Sequence, residues 1–241
     1  MKKESGGRPA SGKTAFFIIF AAGLIVLAFY LIKMDKVTLT GTYHVDQEDA
    51  MEMLLPEENR RLSAVLYEML FGPDKNLLFD SIRIRPSGIG KVRITVKENP
   101  ADCMLKCPEG YAVINRNGAV ADIVPEVPEE LTVLVGVETS GIQLYQRVSA
   151  GDEALFSDAL MLAQRVRTSG IPCEMIYCRP DEFILITGNI TINFGSQVNA
   201  DEKLAAILDM YPSLLGLKGT LHVEDHTGEN EDGKYYFEVG R

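Results

Sequence analysis

The chain begins with a short stretch whose residue types and spacing match a phosphate-binding loop. Residues Gly7 to Thr14 read GRPASGKT, which fits G-x-x-x-x-G-K-[ST], a pattern whose backbone amides hold phosphates. That chemistry needs a buried strand before the loop and a helix after it. Only six residues, mostly polar, precede Gly7. We interpret the match as chance and the segment as a flexible basic tail.

Four cysteines could support either redox or metal chemistry. They are Cys103, Cys107, Cys173 and Cys178. An even number of thiols allows two disulfides, and the spacing within each pair also resembles a zinc site. If Cys103 and Cys107 lie on one extended strand, their Cα atoms are about 13 Å apart, too far to bridge. Free buried thiols are the leading interpretation, with disulfides and zinc as alternatives.

His222 and His226 are the third group, because histidines four residues apart can share a metal on a helix. Here the pattern is a strand followed by a loop, and no third ligand is evident, so we expect no metal site. No Ser/His/Asp or Cys/His arrangement has a recognisable local signature. The sequence predicts no catalytic residue, no cofactor and no small-molecule substrate.

The charge distribution narrows the partners. Residues 1–14 are basic, whereas the rest of the chain is acidic and the whole carries a formal net charge of −10. An acidic body repels nucleic acid, so we expect no nucleic-acid binding.

Residues Ala15 to Ile32 form an uncharged apolar run, AFFIIFAAGLIVLAFYLI. As a helix it would be about 27 Å long, close to the roughly 30 Å hydrocarbon core of a bilayer. More basic residues precede it than follow it, which favours a cytoplasmic N-terminus. The sequence predicts a single-pass type II cell-membrane protein, with most of the chain outside the cytoplasm.

Periodicity after this run predicts the order strand, helix, helix, strand, strand. Val37–Thr40 alternates as a strand, Asp46 can cap a helix that ends near Pro56, and Glu57–Phe71 has an amphipathic stripe. Two alternating strands, Leu77–Arg85 and Lys91–Lys97, then flank a turn at residues 86–90.

This order resembles a POTRA domain, and its last residues resemble a family signature. Val96-Lys-Glu98-Asn-Pro100 is similar to the V-x-E-x-P that closes this domain in the FtsQ/DivIB family of bacterial cell-division proteins. Gly41 sits where that family has a Gly-Asn pair, although Thr42 replaces the Asn.

The second half continues the resemblance. Short strands are predicted up to residue 136, a helix over Glu153–Thr168, and three strands that lead to Gly195. Asp201-Glu-Lys203-Leu204 is similar to the start of the family's next helix. Leu221–Val223 and Tyr235–Val239 are the final pair of strands.

The resemblance implies a function for this last pair. In the family, the final hairpin forms the sheet edge that receives a strand from a partner, and the physics agrees, since an edge strand has unpaired backbone groups. The partner-binding residues expected from the resemblance are Lys234, Tyr235, Tyr236, Phe237, Glu238 and Val239.

The implied protein is a non-enzymatic membrane scaffold of the bacterial division machinery, or divisome, and is expected at the division septum. Its expected partners are FtsL-like and FtsB/DivIC-like bitopic division proteins and, through them, the septal cell-wall synthase complex, so that it helps regulate septal peptidoglycan synthesis. Two alternatives remain: another envelope protein of POTRA type that assembles or chaperones polypeptides, and an ectoenzyme or sensor.

The expected fold class is α+β. It comprises a single N-terminal transmembrane helix, a POTRA domain (β-α-α-β-β) and a mixed α/β domain with an extended, mostly antiparallel sheet. The expected segments are a cytoplasmic tail 1–14, a transmembrane helix 15–32, a POTRA domain 37–100 and a FtsQ/DivIB-type β domain 101–241.

Overall fold

The computed structural model describes residues 12–72, 76–128, 130–224 and 235–240, and side chains in all of these except residues 12–15, 25 and 28. The fold is α+β with mixed sheets. The described chain divides into two compact units. The first contains the residues up to Gly72 together with Ser81–Lys97, and the second contains Asn76–Asp80 and everything from Glu98 onward.

The first unit contains three α-helices and a three-stranded sheet in the order β1-β3-β2, in which β1 and β3 are parallel. Strand β2 starts in the segment that belongs to the second unit. The elements are α1 (Gly12–Leu31), β1 (Lys36–Thr40), α2 (Gln47–Leu54), a 3-10 turn (Glu57–Asn59), α3 (Leu62–Phe71), β2 (Phe79–Gly88) and β3 (Lys91–Glu98).

No helix in the parts of the chain that the structure describes is long and apolar enough to cross a membrane. This finding overturns the predicted transmembrane helix at residues 15–32 and the fold class that included it. The predicted single-pass type II localisation in the cell membrane is wrong for the same reason.

The predicted cap of α2 is confirmed. The Oδ1 of Asp46 accepts hydrogen bonds from the backbone N–H groups of Glu48 and Asp49, at 2.8 and 3.2 Å. Two of the orphan donors at the helix start are thereby satisfied. Helix α2 ends at Leu54, just before Pro56, as predicted.

The second unit is built on a nine-stranded sheet with two helices. The strand order is β14-β13-β12-β11-β10-β7-β4-β5-β6. The pairs β4–β7, β7–β10 and β12–β13 are parallel and the other five are antiparallel. Its elements are β4 (Ala101–Cys107), β5 (Gly110–Asn115), β6 (Val120–Val124), β7 (Thr132–Val135), a small hairpin β8 (Thr139–Gly141) and β9 (Ser149–Ala150), α4 (Glu153–Ser169), β10 (Met175–Arg179), β11 (Glu182–Thr187), β12 (Ile190–Gly195), α5 (Ala200–Leu214), β13 (Gly219–His222) and β14 (Tyr236–Val239).

The main core of this unit lies between the sheet and its two helices. Alternate residues of the strands face α4 and α5, as the period of two along a strand requires. Phe156 of α4, Phe194 of β12 and Ile207 of α5 are fully buried in this cluster. Leu221 of β13 is buried in it and Phe237 of β14 packs against it, so the core reaches the last strand of the sheet.

Three asparagine side chains fix the short segment that precedes β2 to the second unit. The Nδ2 atoms of Asn99, Asn115 and Asn117 all donate to the carbonyl oxygen of Leu77, at 3.2, 3.0 and 3.2 Å. The Oδ1 of Asn76 accepts from the N–H groups of Leu78 and Phe79. This network explains why Asn76–Asp80 groups with residues that follow it by more than twenty positions.

Candidate functional site

Strand β14 is the last strand at one end of the nine-stranded sheet. It pairs antiparallel with β13, and in the part of the chain that the structure describes no strand pairs with its outer side. Phe237 lies opposite Leu221 and turns toward the helices, whereas Tyr236 and Glu238 turn to the other face. Tyr236 is 54% exposed and Val239 is 65% exposed.

The register shows which backbone groups of β14 point outward. The N–H of Gly240 donates to the carbonyl of Lys218 at 2.8 Å, so Lys218 and Gly240 form a hydrogen-bonded antiparallel pair. Such pairs alternate along the strands, so Glu238 and Tyr236 also direct their backbone groups toward β13. The N–H and C=O groups of Phe237 and Val239 therefore point to the open side, where an added strand could bond to them.

Gly219 allows β13 and β14 to approach closely. A Cβ atom at this position would lie 2.1 Å from the carbonyl oxygen of Glu238 and 2.7 Å from the Phe237 ring. The N–H of Gly219 points away from β14 and donates to the carbonyl of Asn189, just before β12, at 3.3 Å. A side chain here would force the edge strand to move.

His222 links β13 to the outward face of β14. Its ring stacks on Tyr236, with centroids 4.4 Å apart and planes within 10° of parallel. Its Nδ1 lies 2.8 Å from Oε1 of Glu224, and its Nε2 lies 3.8 Å from Oε2 of Glu238. At this distance from a carboxylate oxygen, Nδ1 carries the proton and donates to Glu224. A protonated Nδ1 cannot also accept a hydrogen bond from Nδ2 of Asn193, which lies 3.3 Å away.

Two carboxylates therefore lie beside a single histidine at this edge. The side chain of Glu224 is 30% exposed and that of Glu238 is 74% exposed. The Oε2 of Glu224 is buried and has no hydrogen-bond partner among the described residues. Glu224 and Glu238 together form an acidic margin at this edge of the sheet.

Tyr235 leads into β14 and packs against the main core. Burial raises the pKa of its phenol, and the nearby carboxylate of Glu202 raises it further. Of the six predicted partner-binding residues, five lie at this edge, from Tyr235 to Val239. Lys234 lies outside the described residues, as does His226. Gly219, His222 and Glu224 also shape the edge, and the sequence analysis gave them no part in it.

The opposite end of the sheet is protected in two ways. Beside the start of β6, the N–H and C=O of Val120 bond to Gln146 and Tyr145, at 2.9 and 2.8 Å, so a loop occupies the place of a further strand. Farther along β6, the N–H of Ile123 donates to Oδ1 of Asp122 at 2.7 Å. This contact lies next to a register shift in the pairing of β5 with β6. Charges and bulges of this kind discourage strand addition.

The four cysteines are free thiols. Cys103, Cys107 and Cys178 are buried, and Cys173 is partly buried. Burial raises the pKa of Cys103 well above its usual range, and raises those of Cys173 and Cys178 to about 12. At neutral pH these three thiols are protonated and therefore poor nucleophiles and poor metal ligands.

The described residues contain no group of three or more His, Cys, Asp or Glu side chains that could hold a metal ion. The phosphate-loop match begins outside the described residues, and its Gly12, Lys13 and Thr14 form the first residues of α1. No strand or loop of the kind that cradles phosphate is therefore described there.

Comparison of the chain with protein-family models and with curated proteins found no match.

Proposed function

We propose that this protein is a non-enzymatic binding scaffold of the bacterial divisome that captures a strand of a partner protein at β14. The resemblance described above supplies the biological setting, and the open edge carries the physical case. The proposed partners are the FtsL-like and FtsB/DivIC-like coiled-coil division proteins. Through them, the scaffold helps regulate the septal cell-wall synthase complex and septal peptidoglycan synthesis.

The single observation that supports strand capture is the contrast between the two ends of the nine-stranded sheet. A loop and a capped amide protect β6, while the backbone groups of Phe237 and Val239 point outward from β14. Natural sheets usually protect exposed edges because an unprotected edge pairs with other chains. Among the described residues, one edge of the sheet is open and the other is protected, which is the feature expected of a site that adds a strand.

The inner side of β14 is also held firmly enough to serve as a template. Phe237 packs against the main core, and Tyr236 stacks on His222. Strand addition supplies main-chain hydrogen bonds, which give affinity. The side chains on the two faces of the edge then determine which partner sequence binds. No bond is made or broken by this chain in such a mechanism.

Site-specific photo-crosslinking in the native host tests the proposal. A benzophenone amino acid placed at Val239 should crosslink to an FtsL-like or FtsB/DivIC-like protein, identified by mass spectrometry. The matched control places the same amino acid at Glu109, an exposed position in the turn between β4 and β5. Absence of a crosslink from Val239, or the same products from both positions, would contradict strand capture.

Removal of β14 gives a second test of the same proposal. A chain that ends after Glu224 loses the edge strand and should no longer bind the partner. Its circular dichroism spectrum should remain that of a folded protein. Ending the chain after Gly219 would be less informative, because Leu221 and Val223 are buried in the main core.

Crosslinking to an unrelated polypeptide would instead favour the second hypothesis, a different POTRA-type assembly or chaperone-like protein.

A further inference from the structure

The side chain of Glu238 lies where an added strand would approach it most closely. An antiparallel strand that bonds to the outward groups of Phe237 and Val239 places Glu238 in a non-hydrogen-bonded pair with one of its residues. Cα atoms in such pairs are about 4.5 Å apart, against about 5.5 Å in hydrogen-bonded pairs. The residue opposite Glu238 therefore experiences its carboxylate at short range.

The charge of Glu238 is available to that residue. The side chain is 74% exposed, and the described residues give it one ion-pair contact, His222 Nε2 at 3.8 Å. His222 also lies 2.8 Å from the carboxylate of Glu224, so one histidine faces two acidic groups. An acidic residue opposite Glu238 would be repelled and a basic one attracted.

The residues of β14 on either side of Glu238 favour uncharged side chains in the incoming strand. Phe237 is partly buried on the helix side, and Val239, on the same side, is 65% exposed. Tyr236 is on the Glu238 face, 54% exposed, with its ring stacked on His222. An incoming strand can cover these surfaces with apolar, aromatic or β-branched side chains.

We propose that β14 selects a partner strand with a Lys or Arg opposite Glu238, followed by an apolar residue opposite Phe237 and an aromatic or β-branched residue opposite Tyr236. This inference rests on the strand capture proposed above and adds the chemistry of the partner. Strand capture supplies the backbone bonds, which carry no sequence information. The acidic margin formed by Glu238 and Glu224 supplies the discrimination.

Two synthetic peptides that differ at one position test this selection. Their sequences are TVKVYVT and TVEVYVT, in which Lys or Glu falls opposite Glu238 and Tyr falls opposite Tyr236. Each is titrated into the ¹⁵N-labelled full chain, and binding is followed through the amide signals of Phe237 and Val239. The Lys peptide should bind roughly three- to tenfold more tightly than the Glu peptide.

Charge reversal supplies the matched control. The variant Glu238→Lys should reverse the preference, so that the Glu peptide binds more tightly. Glu109→Lys changes the net charge by the same amount at an exposed turn away from β14 and should leave the preference unchanged. Circular dichroism of both variants checks that they fold.

The outcomes separate the two proposals. If both peptides shift the Phe237 and Val239 signals with equal affinity, strand capture stands and the charge selection is wrong. A preference altered equally by Glu238→Lys and Glu109→Lys would also overturn the selection, because it would reflect net charge alone. If neither peptide shifts these signals, strand capture at β14 fails and the selection fails with it.

Discussion

Lys203 shows how a single charged residue can belong to the core of this protein. It is 1% exposed, and its Nζ donates to the carbonyl oxygens of Phe194 and Ser196, both at 2.9 Å. The same ammonium lies 5.0 Å from the centre of the Phe194 ring. The side chain thereby ties the first turn of α5 to the end of β12. From the sequence alone, Lys203 is only part of a helix start that is similar to that of the family.

Replacing this side chain should therefore be costly. Lys203→Met keeps most of the volume but leaves two carbonyl groups without a donor, each at about 1–3 kcal/mol. We expect the free energy of unfolding, measured with urea, to fall by roughly 2–4 kcal/mol. Lys106→Met, at an exposed position of β4, is the control and should change it little. Equal effects of the two substitutions would contradict this role for Lys203.

Asp102 is a second buried charge, and its protonation should affect stability. It is 3% exposed, its Oδ1 lies 3.6 Å from Nη1 of Arg167, and its Oδ2 has no partner among the described residues. Burial raises the pKa of this carboxyl above its ordinary value, although Arg116 and Arg167 act to lower it. The folded state therefore holds the proton more tightly than the unfolded state does.

The pH dependence follows from that difference. Stability due to Asp102 is fully present below the unfolded pKa, near 3.8, and is lost as the pH rises through the higher folded pKa. Asp102→Asn removes this loss, so the stability of the variant relative to wild type should increase between pH 4 and pH 7. Urea unfolding at both pH values measures it, with the exposed Glu109→Gln as control. A relative stability that decreased over this range would show that the pKa is lowered instead.

At the scale of elements, the pairing of β13 with β14 depends on a residue without a side chain. A Cβ at Gly219 would lie 2.1 Å from the Glu238 carbonyl oxygen. Gly219→Ala should therefore weaken the pairing, and the amides of Tyr236 and Glu238 should exchange with solvent about tenfold faster or more. Hydrogen exchange read by NMR measures this.

The matched control for this substitution is Gly141→Ala. No heavy atom lies within 4 Å of a Cβ built at Gly141, so β14 should exchange at the wild-type rate. Unchanged exchange in Gly219→Ala would mean that β13 and β14 do not pair as described, and strand capture at this edge would lose its template.

Elements with strong local signals were well predicted from the sequence. Helix α4 was predicted over Glu153–Thr168 and is observed over Glu153–Ser169, since Asp152 caps it and Gly170 ends it in a left-handed conformation. The sequence predicts strands over Ala101–Lys106, Tyr111–Asn115 and Ala119–Val124, and the observed β4, β5 and β6 lie within one residue of these bounds. In these elements the periodicity, the cap and the turn residues all favour the same structure.

The predicted helix over Glu57–Phe71 is wrong in its first part. A 3-10 turn over Glu57–Asn59 is followed by extended backbone at Arg61, and α3 starts only at Leu62. Residues 60–62 instead pair with the segment after α1, through Met34 N–H to Arg60 O at 2.8 Å and Leu62 N–H to Ile32 O at 2.9 Å. The sequence predicts an apolar stripe that includes Met69 and Leu70, but both of these side chains are exposed. A contact between residues far apart in the chain overrode the local pattern.

The turn between β2 and β3 was also misjudged. The sequence predicts a turn at residues 86–90, whereas β2 continues through Pro86 to Gly88. Proline is tolerated in a strand at the edge of a sheet, and β2 is such a strand. Composition alone does not reveal whether a strand lies at the edge.

At the scale of the whole molecule, strand order was beyond the reach of the sequence. Strand β7 lies between β4 and β10 and is parallel to both, which brings together segments about seventy residues apart. Each strand was predictable from its own alternation, but nothing in that pattern names its neighbours. The candidate edge could be inferred from the family resemblance, whereas the closure of the opposite edge by Tyr145 and Gln146 required coordinates.

The proposed function makes a prediction for the cell. Depletion of this protein in its native host should give filaments with segregated chromosomes and no septa, because the partners at the division site would lack their scaffold. Light microscopy of cell length and stained DNA measures this, and expression of the chain that ends after Glu224 should fail to restore division. Normal septation with a defective envelope, in a host without a second copy, would favour the alternative POTRA-type protein.

The unequal ends of the nine-stranded sheet also limit how copies of this chain can associate through this sheet. Head-to-tail growth into a fibre needs two different open surfaces on every subunit. Among the residues that the structure describes, this sheet offers one, at β14, because a loop and a capped amide protect β6. Two copies that met through β14 would form a closed pair and growth would stop there, and each partner strand bound at β14 would prevent even that pair. Within the described part of the chain, the sheet therefore has a valence of one: it can add a single strand.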